Sequence, residues 1–135
     1  MNGSAILIAS LVLASIFGIY RAKTDGHVKQ QAENHIWSTH NCHIDLGQKA
    51  TLLQFSSSFC QPCRATKVLL SDIASGLPGV SHVEINAEDH LPLVRELGIT
   101  RTPTTLILDQ AGTIRGKASG LPKRDEVLDS LAHLL

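Results

Sequence analysis

The stretch QFSSSFCQPCRATKVLL (54–70) sets two cysteines, Cys60 and Cys63, three residues apart with Pro62 between them. Just upstream, ATLLQFS (50–56) is a short, mostly apolar run suited to a buried strand. Downstream, Ala65, Val68, Leu69 and Ile73 recur at three- and four-residue steps, which predicts an amphipathic helix over 61–75. Cys60 therefore falls at a strand-to-helix junction, and Cys63 falls one turn into the helix. Residues i and i+3 share a helix face, so the two sulfurs can close a disulfide or hold one attacking and one resolving thiol. Unpaired N–H groups and the helix dipole favour a thiolate at Cys60. Such a site lowers a thiol pKa from ~8.5 to about 7 or below. Pro62 falls in the first turn, where it forfeits no hydrogen bond and stiffens the loop.

Two other uses of paired cysteines fit less well. Structural zinc needs a second ligand pair, and no further Cys-x-x-Cys or His-x(3–5)-His tract closes the site convincingly. Covalent haem attachment needs a histidine after the second cysteine, where this chain has Arg64.

The remaining pattern supplies an architecture. GLPG (76–79) stops the helix, and VSHVEIN (80–86) alternates as a strand with one wet face near a sheet edge. Asp89 is placed to cap a second helix, with Pro92 in its first turn and Gly98 at its end. TPTTLILD (102–109), the turn DQAG and TIRGKAS (113–119) form a hairpin, whose second strand is expected as an antiparallel edge. Val127, Leu128, Leu131, Leu134 and Leu135 line a closing helix entered at Pro122. The expected class is α/β: a small mixed sheet with a parallel βαβ unit and helices on both faces.

Balanced charge, 12 Lys+Arg against 12 Asp+Glu in 135 residues, leaves no electrostatic footprint for nucleic acid. Three cysteines suit a reactive pair plus one more, not a disulfide-stapled scaffold. The opening MNGSAILIASLVLASIFGIY has no charged side chain, and its apolar run is long enough to cross a bilayer core of about 30 Å. A cleaved secretory signal is the competing interpretation. No basic residue precedes the run and no small-x-small site follows it, so a retained anchor is expected. The chain then divides into a transmembrane anchor (1–22), a juxtamembrane linker and lead-in (23–48) and a globular domain (49–135). Arg21, Lys23 and Lys29 follow the span, which places the domain on the cytoplasmic side of a single-pass cell-membrane protein. An extracytoplasmic domain is the alternative.

From 49 to 135 the sequence resembles the thioredoxin family through FCQPC, TPT (102–104) and SGLP (119–122). The resemblance implies the thioredoxin fold and a thiol–disulfide oxidoreductase, most simply a protein-disulfide reductase. Its redox group would be the Cys60–Cys63 disulfide itself, with no other cofactor and no metal. Cys60 would be the nucleophile and Cys63 the resolving thiol. Pro103 would be cis and face the disulfide; Thr102 would pair with a substrate backbone by strand addition, and Gly120 would let the substrate approach. Phe59 stands where the family has tryptophan beside the first cysteine. Gln54 stands where the family has a buried aspartate, and Glu84 about where it has that aspartate's lysine partner. Partners would be protein disulfides, an unidentified electron donor and, through the first helix, the membrane. The FSSSFCxPCRAT style behind one span looks most like membrane-anchored thioredoxin-like proteins of high-GC Gram-positive bacteria.

Outside the pair, Cys42 with His35, His40 and His43 could form a metal or regulatory site. A polar lead-in is the plainer expectation, with Trp37 packing beside Ile36. His82 and His90 are expected at solvated positions, and Lys123 and Arg124 at an ordinary helix entry. Gln54 is expected to be functional, because a buried amide must be satisfied. Alternatives for the whole are an extracytoplasmic reductase of the cytochrome c maturation type, a metal-handling module using Cys60 and Cys63, and a redox-silent interaction domain.

Overall fold

The computed structural model of the protein describes residues 3–24, 28–30 and 44–135. An interior strand of the sheet, β2 (Ala50–Ser56), is buried along all but its last residue. Such a strand must be covered on both faces, and its alternating side chains divide the core in two. Leu53 and Phe55 point to one side, where they meet Leu93, Ile99, Leu106 and Ile114. Ala50 and Leu52 point to the other, against Leu70, Ile73, Val127 and Leu131. Each of these Leu, Ile, Val and Phe side chains contributes about 1.5–3 kcal/mol when taken fully out of water.

From β2 the chain crosses through α2 (Gln61–Gly76) to β3 (Val80–Asn86), which lies parallel to β2 with Ala50 opposite Val80. Gly79 makes the turn into β3 at φ +84°, and its carbonyl accepts from Lys49 N–H at 2.8 Å. A 3-10 turn (Ala87–His90) and the short α3 (Leu91–Glu96) lead to β4 (Thr104–Asp109), antiparallel to β2. The hairpin continues into β5 (Ile114–Ser119), and α4 (Arg124–Ala132) closes the domain. The sheet order is β1-β5-β4-β2-β3, mixed as expected, with β3 outermost among the described strands.

The first strand is a correction. β1 (Val28–Gln30) lies inside the stretch expected to be a linker, and it pairs antiparallel with β5, Val28 opposite Ala118 and Gln30 opposite Gly116. The hairpin strand β5 is therefore not an edge. Val28 N–H is fixed to the Glu126 carboxylate of α4 at 2.8 Å. Gly116 makes room for the pairing, since a Cβ there would stand 3.2 Å from a Val28 methyl.

Two further expectations are revised. The buried stripe of α2 is Cys63, Thr66, Leu70 and Ile73, whereas Ala65 is exposed and Val68 is 70% exposed. The helix is rotated to bury a cysteine and a threonine, and Thr66 Oγ1 satisfies itself on the Pro62 carbonyl at 2.8 Å. The residue that caps the turn after β3 is Asn86, whose side chain accepts from Glu88 N–H at 3.0 Å, not Asp89.

The segment between α3 and β4 is held by β5 at both ends. Lys117 Nζ donates to the carbonyls of Leu97 at 3.3 Å and Gly98 at 3.1 Å, where α3 ends. Gly120 N–H, just past β5, donates to the Pro103 carbonyl at 2.7 Å.

The N-terminal helix α1 (Gly3–Thr24) is long and apolar enough over Gly3–Lys23 to cross a membrane, with mean hydropathy 2.1 and no part of that window buried. Its Ser10 and Ser15 hydroxyls donate to carbonyls of the preceding turn, those of Leu7 and Leu11.

Candidate active site

The strand-to-helix junction lies where the sequence places it. Cys60 is the N-cap of α2, in extended conformation, and its sulfur accepts from Cys63 N–H at 3.2 Å. One of the orphan amides at the helix start is thereby aimed at sulfur, an arrangement that stabilises negative charge there. Cys60 and Cys63 form a disulfide with Cα atoms 5.2 Å apart. The two sulfurs differ in access: Cys63 is 4% exposed, whereas Cys60 is half-buried.

Phe59 precedes the pair with φ +58°, in the left-handed region that costs an L residue roughly 1–2 kcal/mol. Its ring is wholly exposed. An open groove of about 300 Å³ runs beside the disulfide, lined by Ser57, Phe59, both cysteines, Arg64 and Lys67 among others.

The Thr102–Pro103 bond is cis, as the resemblance implied. The hydroxyls of Ser57 and Thr102 lie 2.7 Å apart and join the cysteine loop to the proline loop. Gly120 has φ +86° and bonds Pro103. Cys60, Cys63, Phe59, Thr102, Pro103 and Gly120 thus all lie at the end of the sheet where β2 finishes and β4 begins.

Behind the disulfide is a polar network. Gln54 is fully buried. Its Nε2 donates to the Cys63 carbonyl and to Ser56 Oγ, each at 2.9 Å. Its Oε1 lies 3.0 Å from His82 Nε2, and His82 Nδ1 lies 3.0 Å from Ser71 Oγ. With an amide oxygen at Nε2, that nitrogen carries the hydrogen and Ser71 donates to Nδ1. Burial pushes the His82 pKa below its ordinary value; Glu84 pulls upward, and Lys67 adds a smaller downward push. Glu84 is itself held by Ser56 Oγ at 3.1 Å and Lys67 Nζ at 3.2 Å.

His82 corrects the expectation of a solvated position. It pairs in register with Leu52, and its ring reaches diagonally to Gln54, a contact that spacing along one strand does not disclose. The usable signal was the buried amide: its oxygen needed a donor from a neighbouring strand. His90 is half-buried at the start of α3, and Arg124 is bound to Asp72 of α2 at 2.7 Å. Among the described residues no group of three or more His, Cys, Asp or Glu could hold a metal. His35, Ile36, Trp37, His40, Cys42 and His43 lie outside the described residues.

A Cys-x-x-Cys disulfide at a helix start, with a cis Thr–Pro bond at the same end of a mixed sheet, marks a thiol–disulfide oxidoreductase. The thioredoxin family model matches residues 31–133, and the chain belongs to that family. It is similar to a thioredoxin H-type of Ricinus communis, 28% identical over 81 residues, covering 60% of this chain and 67% of the relative. Thioredoxin H1 of Arabidopsis thaliana is 29% identical over 84 residues, 62% of this chain and 72% of that one. Among solved structures, thioredoxin F from spinach chloroplast in its short form superposes with TM-score 0.57 at 26% identity, over 65% of this chain and 78% of the other. The family acts on protein disulfides with the cysteine pair as its redox group.

Proposed function

We propose that the protein is a membrane-tethered protein-disulfide reductase working through Cys60-Gln-Pro-Cys63. The observation that carries the roles is the difference in access: Cys63 is 4% exposed while Cys60 is half-buried and capped by a helix amide. In the reduced protein the Cys60 thiolate attacks one sulfur of a substrate disulfide, and the other sulfur leaves as a thiolate that takes up a proton. Cys63, deprotonated, then attacks Cys60 and expels the first substrate sulfur as a second thiol. The substrate gains two electrons and two protons, and the Cys60–Cys63 disulfide returns. An electron donor of the cell restores the dithiol; no metal or further cofactor takes part.

In this scheme Thr102 offers its backbone to a substrate strand, and Pro103, Gly120 and Phe59 shape the approach. Gln54 and Pro62 support the pair. Helix α1 anchors the chain, and Arg21, Lys23 and Lys29 favour a cytoplasmic domain. The pairing of Val28–Gln30 with β5 supports a division at β1: anchor to about residue 22, a short connection, then the domain.

The test is trapping. Cys63→Ser, reduced and incubated with membranes, should accumulate mixed disulfides that dithiothreitol releases, and Cys60→Ser should accumulate none. Equal trapping by both variants would overturn the assigned roles. Labelling of Cys60 in intact cells by an impermeant maleimide, after an impermeant reductant and in a Cys42→Ser background, would place the domain outside.

A further inference from the structure

We propose that the chain presents its disulfide to the bilayer surface, and that its substrates are disulfides in the membrane-proximal segments of integral membrane proteins. This rests on α1 spanning a membrane, as proposed above. The chain enters the sheet at the end that carries the site. Val28, the first residue of β1, pairs with Ala118, next to Ser119, which stands opposite Thr104. Thr104 follows the cis Pro103, and Gly120 bonds the Pro103 carbonyl. The chain leaving α1 therefore joins the sheet at the end that carries the disulfide and the proline loop, not at the far end.

The connection is short. Helix α1 ends at Thr24 and β1 begins at Val28, so four peptide steps separate them, at most about 14 Å when fully extended. The seven residues of β2 rise about 20 Å. Turning the domain over would require the connection to run past that whole length, which it cannot do. The attachment is also firm, since Val28 N–H is bonded to Glu126 at the start of α4. Three strand spacings across the sheet from β1 to β2 add about 14 Å, so Cys60 stays within about 30 Å of the end of α1.

The surface at that end is suited to such a partner. Phe59, Leu91 and Leu121 are large apolar side chains exposed outside α1. Each lies on a segment at this end of the sheet: Phe59 after β2, Leu91 after β3 and its turn, and Leu121 after β5.

The test uses the full chain, reduced, in lipid vesicles with single-span peptides that carry an intrapeptide disulfide. In one peptide the disulfide follows the span directly; in the other it tops a helical spacer of about 40 residues, roughly 60 Å higher. The near disulfide should be reduced at least about tenfold faster. A second protein carries a Gly/Ser insert of about 120 residues between positions 26 and 27, with a root-mean-square span of roughly 60 Å. It should treat the two peptides alike within about twofold, while reducing a soluble peptide disulfide as fast as the natural chain. Equal rates on both peptides by the natural chain, recovered in the vesicle fraction, would overturn the proposal and leave the anchor standing. Recovery of the chain outside the vesicles would overturn the anchor, and the proposal with it.

Discussion

Gln54 donates from Nε2 to the carbonyl oxygen of Cys63 at 2.9 Å, so an amide that cannot titrate supports the buried half of the disulfide. Gln54→Leu keeps the volume but leaves that carbonyl and His82 Nε2 without their partner. Stability should fall by about 1–3 kcal/mol, read as a lower urea midpoint with the slope unchanged. An unchanged midpoint would show that the network contributes nothing to the fold.

His82 should make the protein acid-sensitive. Its folded pKa lies below the unfolded value of 6.5, because burial disfavours the cation. Between those two values the unfolded chain binds more protons, so stability present above pH 6.5 is lost as pH falls toward the folded pKa. The stability advantage of the natural chain over His82→Gln should therefore shrink from about pH 8 to about pH 5. A constant difference would mean that His82 does not titrate between the two states.

One carboxylate gathers the β4–β5 turn, beside the two backbone bonds between Asp109 and Thr113 and between Gly112 and Asp109. Asp109 accepts from the N–H groups of Ala111 and Thr113 and from Arg115 Nε, each at 2.9 Å. Burial raises its pKa, but the Thr113 amide, Arg115 and the Ala111 amide together hold it below 3.8. Asp109→Ala should cost about 1–3 kcal/mol at neutral pH. In the natural chain the ionised carboxylate's contribution is present above pH 3.8 and is lost as pH falls through the folded pKa. Denaturant titrations of both proteins at acid and neutral pH check this.

The Ser57–Thr102 contact at 2.7 Å should behave as one coupled pair. In a double-mutant cycle with Ser57→Ala and Thr102→Val, the coupling should be about 0.5–1.5 kcal/mol in stability. Either single change should slow reduction of a protein disulfide, because it frees the cysteine loop from the proline loop. Additive effects would show that the two loops are held by other contacts.

Strands β2 and β3 were legible from sequence to the residue, because a short, mostly apolar run that gives way to a helical pattern, and an alternation bounded by GLPG, are both strand signals. The orientation of α2 was not. Val68 fits an apolar stripe by spacing, but the buried stripe is led by Cys63, whose place is set by its disulfide, and by Thr66. Strand β1 was missed because three residues, Val28–Gln30, are too few to show a period, and their partner lies nearly ninety residues away. The Cys60–Cys63 pairing was legible because i, i+3 spacing at a strand-to-helix junction brings two sulfurs together, and the cis bond at Pro103 because the TPT stretch resembles the family's. His82 was not, since its role depends on the register of β2 against β3 and on a helix residue, Ser71.

Strand β5 carries the proline loop at both ends, through Lys117 at Gly98 and Gly120 at Pro103, and it is also the strand to which β1 is bound. A mechanical load on the residues before Val28 enters the domain at β5 and is handed directly to the loop that Thr102 joins to the cysteine loop through Ser57. The cysteines, two strands further across the sheet, feel it last.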